Sequence, residues 1–145
     1  MPYRDPGNAA GVLAEARVPG EVPVWTPRVV LAEDDATCRA SLVRALGRRG
    51  LRVIPAADGV EALQSIRAWG ADVLVTDLLM PSMDGAELLL RLAEQAPWVR
   101  CVAITGASEA EPRLLSAREF GAVETLGKPF TIEQLESAIW RALQR

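Results

Sequence analysis

Five residues with chemically useful side chains lie at the ends of short apolar runs in this sequence. The acid pair Glu33 and Asp34 follows VVLA, Asp77 follows VLVT, Thr105 ends CVAIT, and Lys128 follows VETLG. Lys128 is the only lysine among 16 basic residues, the others being arginine. Carboxylates that lie close together repel one another unless a hard cation lies between them, and Mg²⁺ favours oxygen ligands of this kind. These residue types therefore predict a magnesium site beside a lysine.

The same residues indicate which reaction such a site could support. A lysine ammonium suits a phosphoryl oxygen or a carboxylate, and a threonine hydroxyl can donate a hydrogen bond to a second phosphoryl oxygen. The sequence contains no histidine, which excludes a Ser-His-Asp triad, a histidine-ligated metal and a phosphohistidine carrier. The nucleophile that remains at these strand ends is an aspartate, and carboxylates do form aspartyl phosphates. The residues thus predict Mg²⁺-assisted phosphoryl transfer to an aspartate.

An alternation of strands and helices must position these side chains. Nearly continuous apolar runs predict strands buried on both faces of a parallel sheet, and the segments between them have apolar residues at helical spacing. Strands are predicted at 29–32, 51–56, 73–76, 101–105 and 123–126, and helices at 36–49, 59–69, 85–96, 109–120 and 132–144. The second and fifth strands are more mixed in composition, as edge strands are. This order is typical of an open α/β sheet, in which a site forms at the carboxyl ends of the strands.

The starts of the predicted helices show which polar residues have a local structural role. Four of them precede a Glu or Gln by three residues, which is the capping-box pattern: Asp58, Asp84, Ser108 and Thr131. The first helix has Asp35 available as its cap. Glu33 and Asp34 are then free of a capping role, which favours their assignment as cation ligands.

The length and composition of the chain limit the classes of protein to which it can belong. A chain of 145 residues fits one domain, and a formal net charge of -3 argues against a nucleic-acid footprint. Two cysteines provide neither a disulfide framework nor a zinc cluster. No apolar run approaches the roughly 20 residues of a membrane span, so we expect a cytoplasmic protein with no membrane or DNA partner. Residues 1–27 contain five prolines and three glycines, which predicts an N-terminal extension or linker before a domain at 28–145.

Four motifs together resemble the receiver domain of bacterial two-component response regulators. They are VVLAEDD, VLVTDLLMPSMDG, CVAITG and LGKPF, and the resemblance covers about residues 28–145. It implies a flavodoxin-like, doubly wound α/β fold, with a five-stranded parallel sheet in the order 2-1-3-4-5 and five flanking helices. It also implies a signalling domain that is not an enzyme in its own right but assists its own phosphorylation and dephosphorylation.

The resemblance implies a role for each strand-end residue. Asp77 is the phosphoacceptor, which takes the phosphoryl group from a sensor histidine kinase or a phosphotransfer protein. Thr105 donates a hydrogen bond to that group, and Lys128 pairs with Asp77 or with a phosphoryl oxygen. The bond between Lys128 and Pro129 is expected to be cis, although only about 5–6% of X-Pro bonds are.

The resemblance also implies a ligand set for Mg²⁺. Asp34 binds the ion directly and Glu33 binds it largely through water. Asp77 and the backbone carbonyl of Leu79 complete the set of protein ligands.

The sequence departs from the family at two places. Many receivers have Tyr or Phe three residues before the lysine, where this chain has Thr125, so the usual aromatic part of the switch is missing. Leu79 and Ala107 flank the acceptor site in the family, and neither side chain can orient a hydrolytic water. We therefore expect a longer-lived phosphoaspartate than in chemotaxis-type receivers.

Output is expected through protein contact, because the sequence shows no helix-turn-helix pattern and no basic stripe. The family's usual surface is formed by the fourth helix, the fifth strand and the fifth helix, and phosphorylation-dependent homodimers are common. The main alternative is a pseudo-receiver, which binds a partner without being phosphorylated. A haloacid-dehalogenase-type phosphatase would need a second acid where Leu79 stands. A flavodoxin-like FMN protein would need a phosphate-binding loop where residues 33–35 are all acidic.

Overall fold

The computed structural model describes residues 25–80, 83, 85–106 and 117–145 of the chain. The elements of these ranges are, in chain order, β1 Arg28–Ala32, α1 Ala36–Arg48, β2 Arg52–Ala56, α2 Gly59–Trp69, β3 Val73–Asp77, α3 Gly85–Gln95, β4 Arg100–Thr105, β5 Glu124–Gly127 and α4 Ile132–Leu143. Residues 117–119 are also helical and belong to the helix predicted at 109–120. Phe120 is a turn residue, and residues 109–116 lie outside the described residues. Of the predicted extension, residues 25–27 are described. Among the helices described, none has the length and apolarity needed to cross a membrane.

The five strands form one parallel sheet in the order β2-β1-β3-β4-β5. This confirms the predicted fold class and places the two mixed strands, β2 and β5, at the edges. The chain reverses its direction of winding between β1 and β3, which lie side by side in register from Val29 opposite Val73 to Ala32 opposite Thr76. The residues that follow β1 and end β3 are therefore neighbours at the carboxyl edge of the sheet.

Two layers of helices cover the sheet, and alternate strand residues pack against them. Val29 and Leu31 of β1 pack in a cluster with residues of α1 and α4, whereas Val30 and Ala32 pack in a cluster with residues of α2 and α3. All five residues of β3 are buried. Because both faces are apolar, the polar side chains of the central strands are confined to positions at or next to the strand ends.

Three of the helices have the N-cap hydrogen bonds that the sequence predicts. Asp35 accepts from the backbone N–H of Cys38 at 2.9 Å, and Asp58 accepts from that of Glu61 at 2.8 Å. Thr131 and Gln134 form a complete capping box, with bonds of 3.1 and 2.8 Å. The predicted caps at 84 and 108 lie outside the described residues. Since Asp35 is the cap of α1, the two acids before it are available for other contacts.

Candidate functional site

Asp77 is the last residue of β3, and its side chain is held from two sides. One carboxylate oxygen, Oδ1, accepts from the backbone N–H of Leu79 at 2.9 Å, and Oδ2 accepts from Lys128 Nζ at 2.7 Å. The residue is 7% exposed, so it is buried but still reachable from solvent. Leu79 is exposed. The acceptor predicted from the sequence is therefore an oriented carboxylate at the carboxyl edge of the sheet.

The segment after Asp77 is fixed by the neighbouring strand and by the start of α3. The N–H of Leu78 donates to the carbonyl of Ile104 at 2.8 Å, and the N–H of Gly85 donates to the carbonyl of Leu78 at 3.0 Å. A Cβ at Gly85 would lie 2.6 Å from the Leu78 Cα, which is closer than real Cβ contacts come. Glycine at this position allows α3 to begin directly against the segment that follows Asp77.

Lys128 joins the two buried acids of this edge. Its Nζ lies 2.7 Å from Asp77 Oδ2 and 3.3 Å from Glu33 Oε1. Burial lowers the pKa of Lys128, but the hydrogen bonds and the negative charges of Asp77 and Glu33 outweigh burial, and the pKa is raised. The lysine therefore stays charged at neutral pH.

The backbone at Lys128 also has the geometry that the sequence predicts. The Lys128-Pro129 peptide bond is cis, which confirms that prediction. The backbone N–H of Lys128 donates to the carbonyl of Thr105 at 2.8 Å, so the end of β4 holds the residue that carries the ammonium.

The two acids after β1 differ in burial, since Glu33 is buried and Asp34 is exposed. Glu33 is 4% exposed, and its Oε2 accepts from the backbone N–H of Asp35 at 3.1 Å. The Cys38 thiol lies 3.5 Å from Glu33 Oε1, and burial together with the charge of Glu33 raises the pKa of that thiol. Asp34 is exposed. Glu33 thus belongs to the hydrogen-bonded group around Lys128, and Asp34 lies at its solvent side.

Thr105 carries an unpaired hydroxyl at the end of β4. Its Oγ1 is the one buried side-chain oxygen or nitrogen without a hydrogen-bond partner in the described part of the chain. The residue lies one position beyond Ile104, which is opposite Asp77 in the sheet. A buried hydroxyl without a partner costs about 1–3 kcal/mol, so a polar atom of a ligand is its expected partner.

The oxygen donors of this edge fit a magnesium ion by their chemistry. The described residues contain no group of three or more His, Cys, Asp or Glu side chains arranged to hold a metal. Mg²⁺ does not require such a group, since it keeps several waters and uses one or two protein carboxylates. The structure brings Glu33, Asp77 and Lys128 together and leaves Asp34 exposed beside them. The ligand set of Glu33, Asp34, Asp77 and the Leu79 carbonyl remains a prediction.

Arg39 is a residue of this edge that the sequence analysis missed. It lies in the first turns of α1, and its Nη1 donates to the backbone carbonyl of Glu33 at 2.6 Å. An available signal was its spacing, because a long side chain in the first turns of a helix can reach back to the strand end that precedes it.

Thr125, where the sequence departs from the family, forms a side-chain hydrogen bond in the structure. Thr125 lies in β5 opposite Ala103, and its hydroxyl accepts from Arg118 Nη2 at 3.1 Å. A polar contact therefore stands where many receivers have an aromatic ring. Ala107, the second residue of the lifetime prediction, lies outside the described residues.

Comparisons with known proteins give matches over most of the chain. A family model described as the response regulator receiver domain matches residues 29–140. The sensor kinase CckA of Brucella abortus is 39% identical over 121 residues, which cover 81% of this chain and 12% of that protein. The response regulator MprA of Mycobacterium ulcerans is 34% identical over 118 residues, 81% of this chain and 50% of that protein. The crystal structure of FixJ-N is 31% identical with a TM-score of 0.78, and the match covers 84% of this chain and 97% of that chain. The chain thus spans half or less of these two sequence relatives.

Proposed function

Since this chain belongs to the response regulator receiver family, we propose that Asp77 accepts a phosphoryl group from a phosphohistidine of a sensor kinase or phosphotransfer protein. The observation that carries the proposal is the grouping at one sheet edge of a lysine-paired carboxylate and an unpaired buried hydroxyl. Lys128 Nζ lies 2.7 Å from Asp77, and Thr105 Oγ1 has no partner among the described residues. A phosphoryl group on Asp77 would provide oxygens for both donors.

The transfer is a displacement at phosphorus. A carboxylate oxygen of Asp77 forms a bond to phosphorus while the bond from phosphorus to the partner's imidazole nitrogen breaks, and the imidazole leaves with the electron pair of that bond. Lys128 and Thr105 hydrogen-bond the phosphoryl oxygens, which gain negative charge near the transition state. When bound, Mg²⁺ offsets the repulsion between the acceptor carboxylate and the phosphoryl oxygens. Asp34 and Asp77 would hold the ion directly, Glu33 through water, and Leu79 through its backbone carbonyl.

The proposal extends to the setting of the reaction. The domain at 28–145 would act in the cytoplasm as a phosphoacceptor rather than as an enzyme on other substrates, with residues 1–27 as an extension or linker. It would signal by protein contact with a downstream protein, including a second phosphorylated copy of itself. The surface formed by the fourth predicted helix, β5 and α4 would make that contact, and the hydrogen-bonded pair of Arg118 and Thr125 would lie in it.

The experiment is intact-protein mass spectrometry after incubation with acetyl phosphate, with and without Mg²⁺. We expect the wild type to gain one phosphoryl group only when Mg²⁺ is present, and Asp77→Asn to gain none. Asp58→Asn is the matched control, because it removes an acid at the same edge and asparagine caps a helix as well as aspartate does. The control should be phosphorylated like the wild type.

Two results would contradict the proposal. A folded wild type that gains no mass under any condition would favour the pseudo-receiver, which only binds a partner. A mass gain that survives in Asp77→Asn would place the phosphoryl group on another residue.

A further inference from the structure

Arg39 reaches from α1 back to the loop that carries the acid pair. Its Nη1 donates to the backbone carbonyl of Glu33 at 2.6 Å and lies 3.4 Å from that of Asp34. The side chain is half-buried. Within the described ranges, no carboxylate lies at salt-bridge distance from its guanidinium. Arg39 therefore contacts the main chain of the acid pair and leaves the two carboxylates free of its hydrogen bonds.

Separate contacts hold the side chain and the main chain of Glu33. The carboxylate accepts from the Asp35 N–H and from Lys128, at 3.1 and 3.3 Å. The carbonyl accepts from Arg39. Among the described residues, none contacts the Asp34 carboxylate in this way, and the side chain is exposed, so its direction depends on how firmly the main chain of the loop is held. A guanidinium suits this task, because its planar donors bind oxygens in a fixed geometry.

We infer that Arg39 is a positioning residue for the divalent cation, fixing the main chain of residues 33–34 so that the Asp34 carboxylate is directed to the ion. This inference rests on the proposed function. The alternative explanation of the Arg39 contact predicts the opposite change in cation affinity when the residue is replaced. If Arg39 acted mainly as a positive charge next to the acids, its removal would strengthen cation binding, because a repulsive charge would be lost.

The experiment measures Mn²⁺ binding from the EPR signal of the free ion, without any phosphoryl donor. We expect Arg39→Met to bind Mn²⁺ about tenfold more weakly than the wild type, as is typical when a group that orients metal ligands is lost. Arg39→Lys keeps the charge and one donor, and should lie between the two. The matched control is Arg44→Met, which removes an exposed arginine of the same helix and should bind within about twofold of the wild type.

A second measurement separates positioning from general damage to the fold. The rate of phosphorylation by acetyl phosphate is followed against the Mg²⁺ concentration. Arg39→Met should need about tenfold more Mg²⁺ for half of its maximal rate, while the rate at saturating Mg²⁺ stays near that of the wild type. A variant with a damaged acceptor site would lose the maximal rate as well.

The outcomes distinguish this inference from the proposed function. Equal or tighter Mn²⁺ binding by Arg39→Met would overturn the role of Arg39 and leave phosphorylation of Asp77 unaffected. A wild type that binds Mn²⁺ but gains no phosphoryl group would overturn the proposed function. A wild type that binds no Mn²⁺ would overturn the cation site and the role of Arg39 with it. If Arg39→Met does not fold, Arg39→Lys decides, and binding equal to that of the wild type would overturn the inference.

Discussion

The buried acids at the two edges of the sheet differ in the number of cationic side chains that they contact. At the carboxyl edge, Glu33 and Asp77 share a single lysine, with separations of 3.3 and 2.7 Å. At the amino edge, Asp72 just before β3 is bonded to Arg28, and Glu124 at the start of β5 accepts from two arginines of the C-terminal region. These four are the buried acids of the described residues. Each edge therefore holds two.

The difference separates acids whose charge is compensated within the chain from acids that would serve the proposed chemistry. At the amino edge Asp72 has one arginine of its own and Glu124 has two, so the negative charge of each acid is largely compensated within the chain. In the described part of the carboxyl edge, one lysine serves two carboxylates, the exposed Asp34 adds a third, and the Thr105 hydroxyl lacks a partner. Functional sites commonly sacrifice stability in this way. In the proposed chemistry, the compact ammonium of Lys128 would contact a carboxylate before transfer and a phosphoryl oxygen after it.

The largest loss of stability is expected from the amino edge. Asp72→Ala should lower the free energy of unfolding by about 3 kcal/mol, because it leaves both the N–H and the largely buried guanidinium of Arg28 without this partner. Urea unfolding followed by tryptophan fluorescence measures the change, and Glu94→Ala, at an exposed helical position, is the control. A loss below 1 kcal/mol would mean that the amino edge does not depend on its ion pairs.

A smaller and cation-dependent loss is expected at the carboxyl edge. Lys128→Met leaves two buried carboxylates without their shared ammonium and should cost about 1.5 kcal/mol in EDTA, since solvent partly screens a lysine that is 36% exposed. Saturating Mg²⁺ should restore more stability to this variant than to the wild type. Parallel unfolding curves with EDTA and with Mg²⁺ test this. Equal losses in both solutions would show that the lysine does not compete with a cation.

Glu124→Gln should cost about 1 kcal/mol at neutral pH, because the arginine partners Arg141 and Arg145 are half-exposed and screened by solvent. Burial raises the pKa of Glu124, but hydrogen bonds and charge from the two arginines outweigh it, and the pKa lies below the ordinary 4.5. A lowered pKa gives stability that is complete above pH 4.5 and is lost as the pH falls through the folded-state value. The difference between wild type and variant should therefore narrow below pH 4.5 in acid unfolding experiments, and a constant difference would refute the ion-pair explanation.

The smallest change in stability is expected from the residue with the largest role in the proposed chemistry. Asp77→Asn should shift the free energy of unfolding by no more than about 0.5 kcal/mol. The amide oxygen can still accept from the Leu79 N–H. The amide nitrogen cannot accept from Lys128, but that partly exposed lysine can turn away from it and keep Glu33 as its partner. The same urea experiment, in EDTA, makes the comparison with Asp72→Ala direct. If both substitutions lowered the free energy of unfolding by several kcal/mol, Asp77 would stabilise the fold as much as Asp72 does. The proposed difference between the two edges would then be wrong.

The strands, two of the helix caps and the strand-end residues of the site could be predicted from short stretches of sequence. The sequence predicts the five strands to within one residue at every end, most clearly for the three central ones, because a buried parallel strand must be apolar on both faces. Asp58 and Thr131 are predictable as caps because a cap bonds to an N–H only three residues away. The strand-end positions of Glu33, Asp77 and Thr105 follow from the same pattern. The sheet order and the cis bond at Pro129 came from the resemblance of the motifs to a known family.

The resemblance implied the pairing of Lys128 with Asp77, but the other charge pairs were decided by the tertiary structure. Lys128 is 51 residues from Asp77 and 95 residues from Glu33 along the chain, and a local pattern places each acid at a strand end without showing which cation it contacts. The unpaired hydroxyl of Thr105 and the contact of Arg39 with the Glu33 carbonyl are equally invisible in the sequence pattern. The physical reason is that periodicity and capping depend on neighbours within one turn or one strand. Pairing of distant side chains depends on which strands lie adjacent, in what register, and on which rotamers their packing allows.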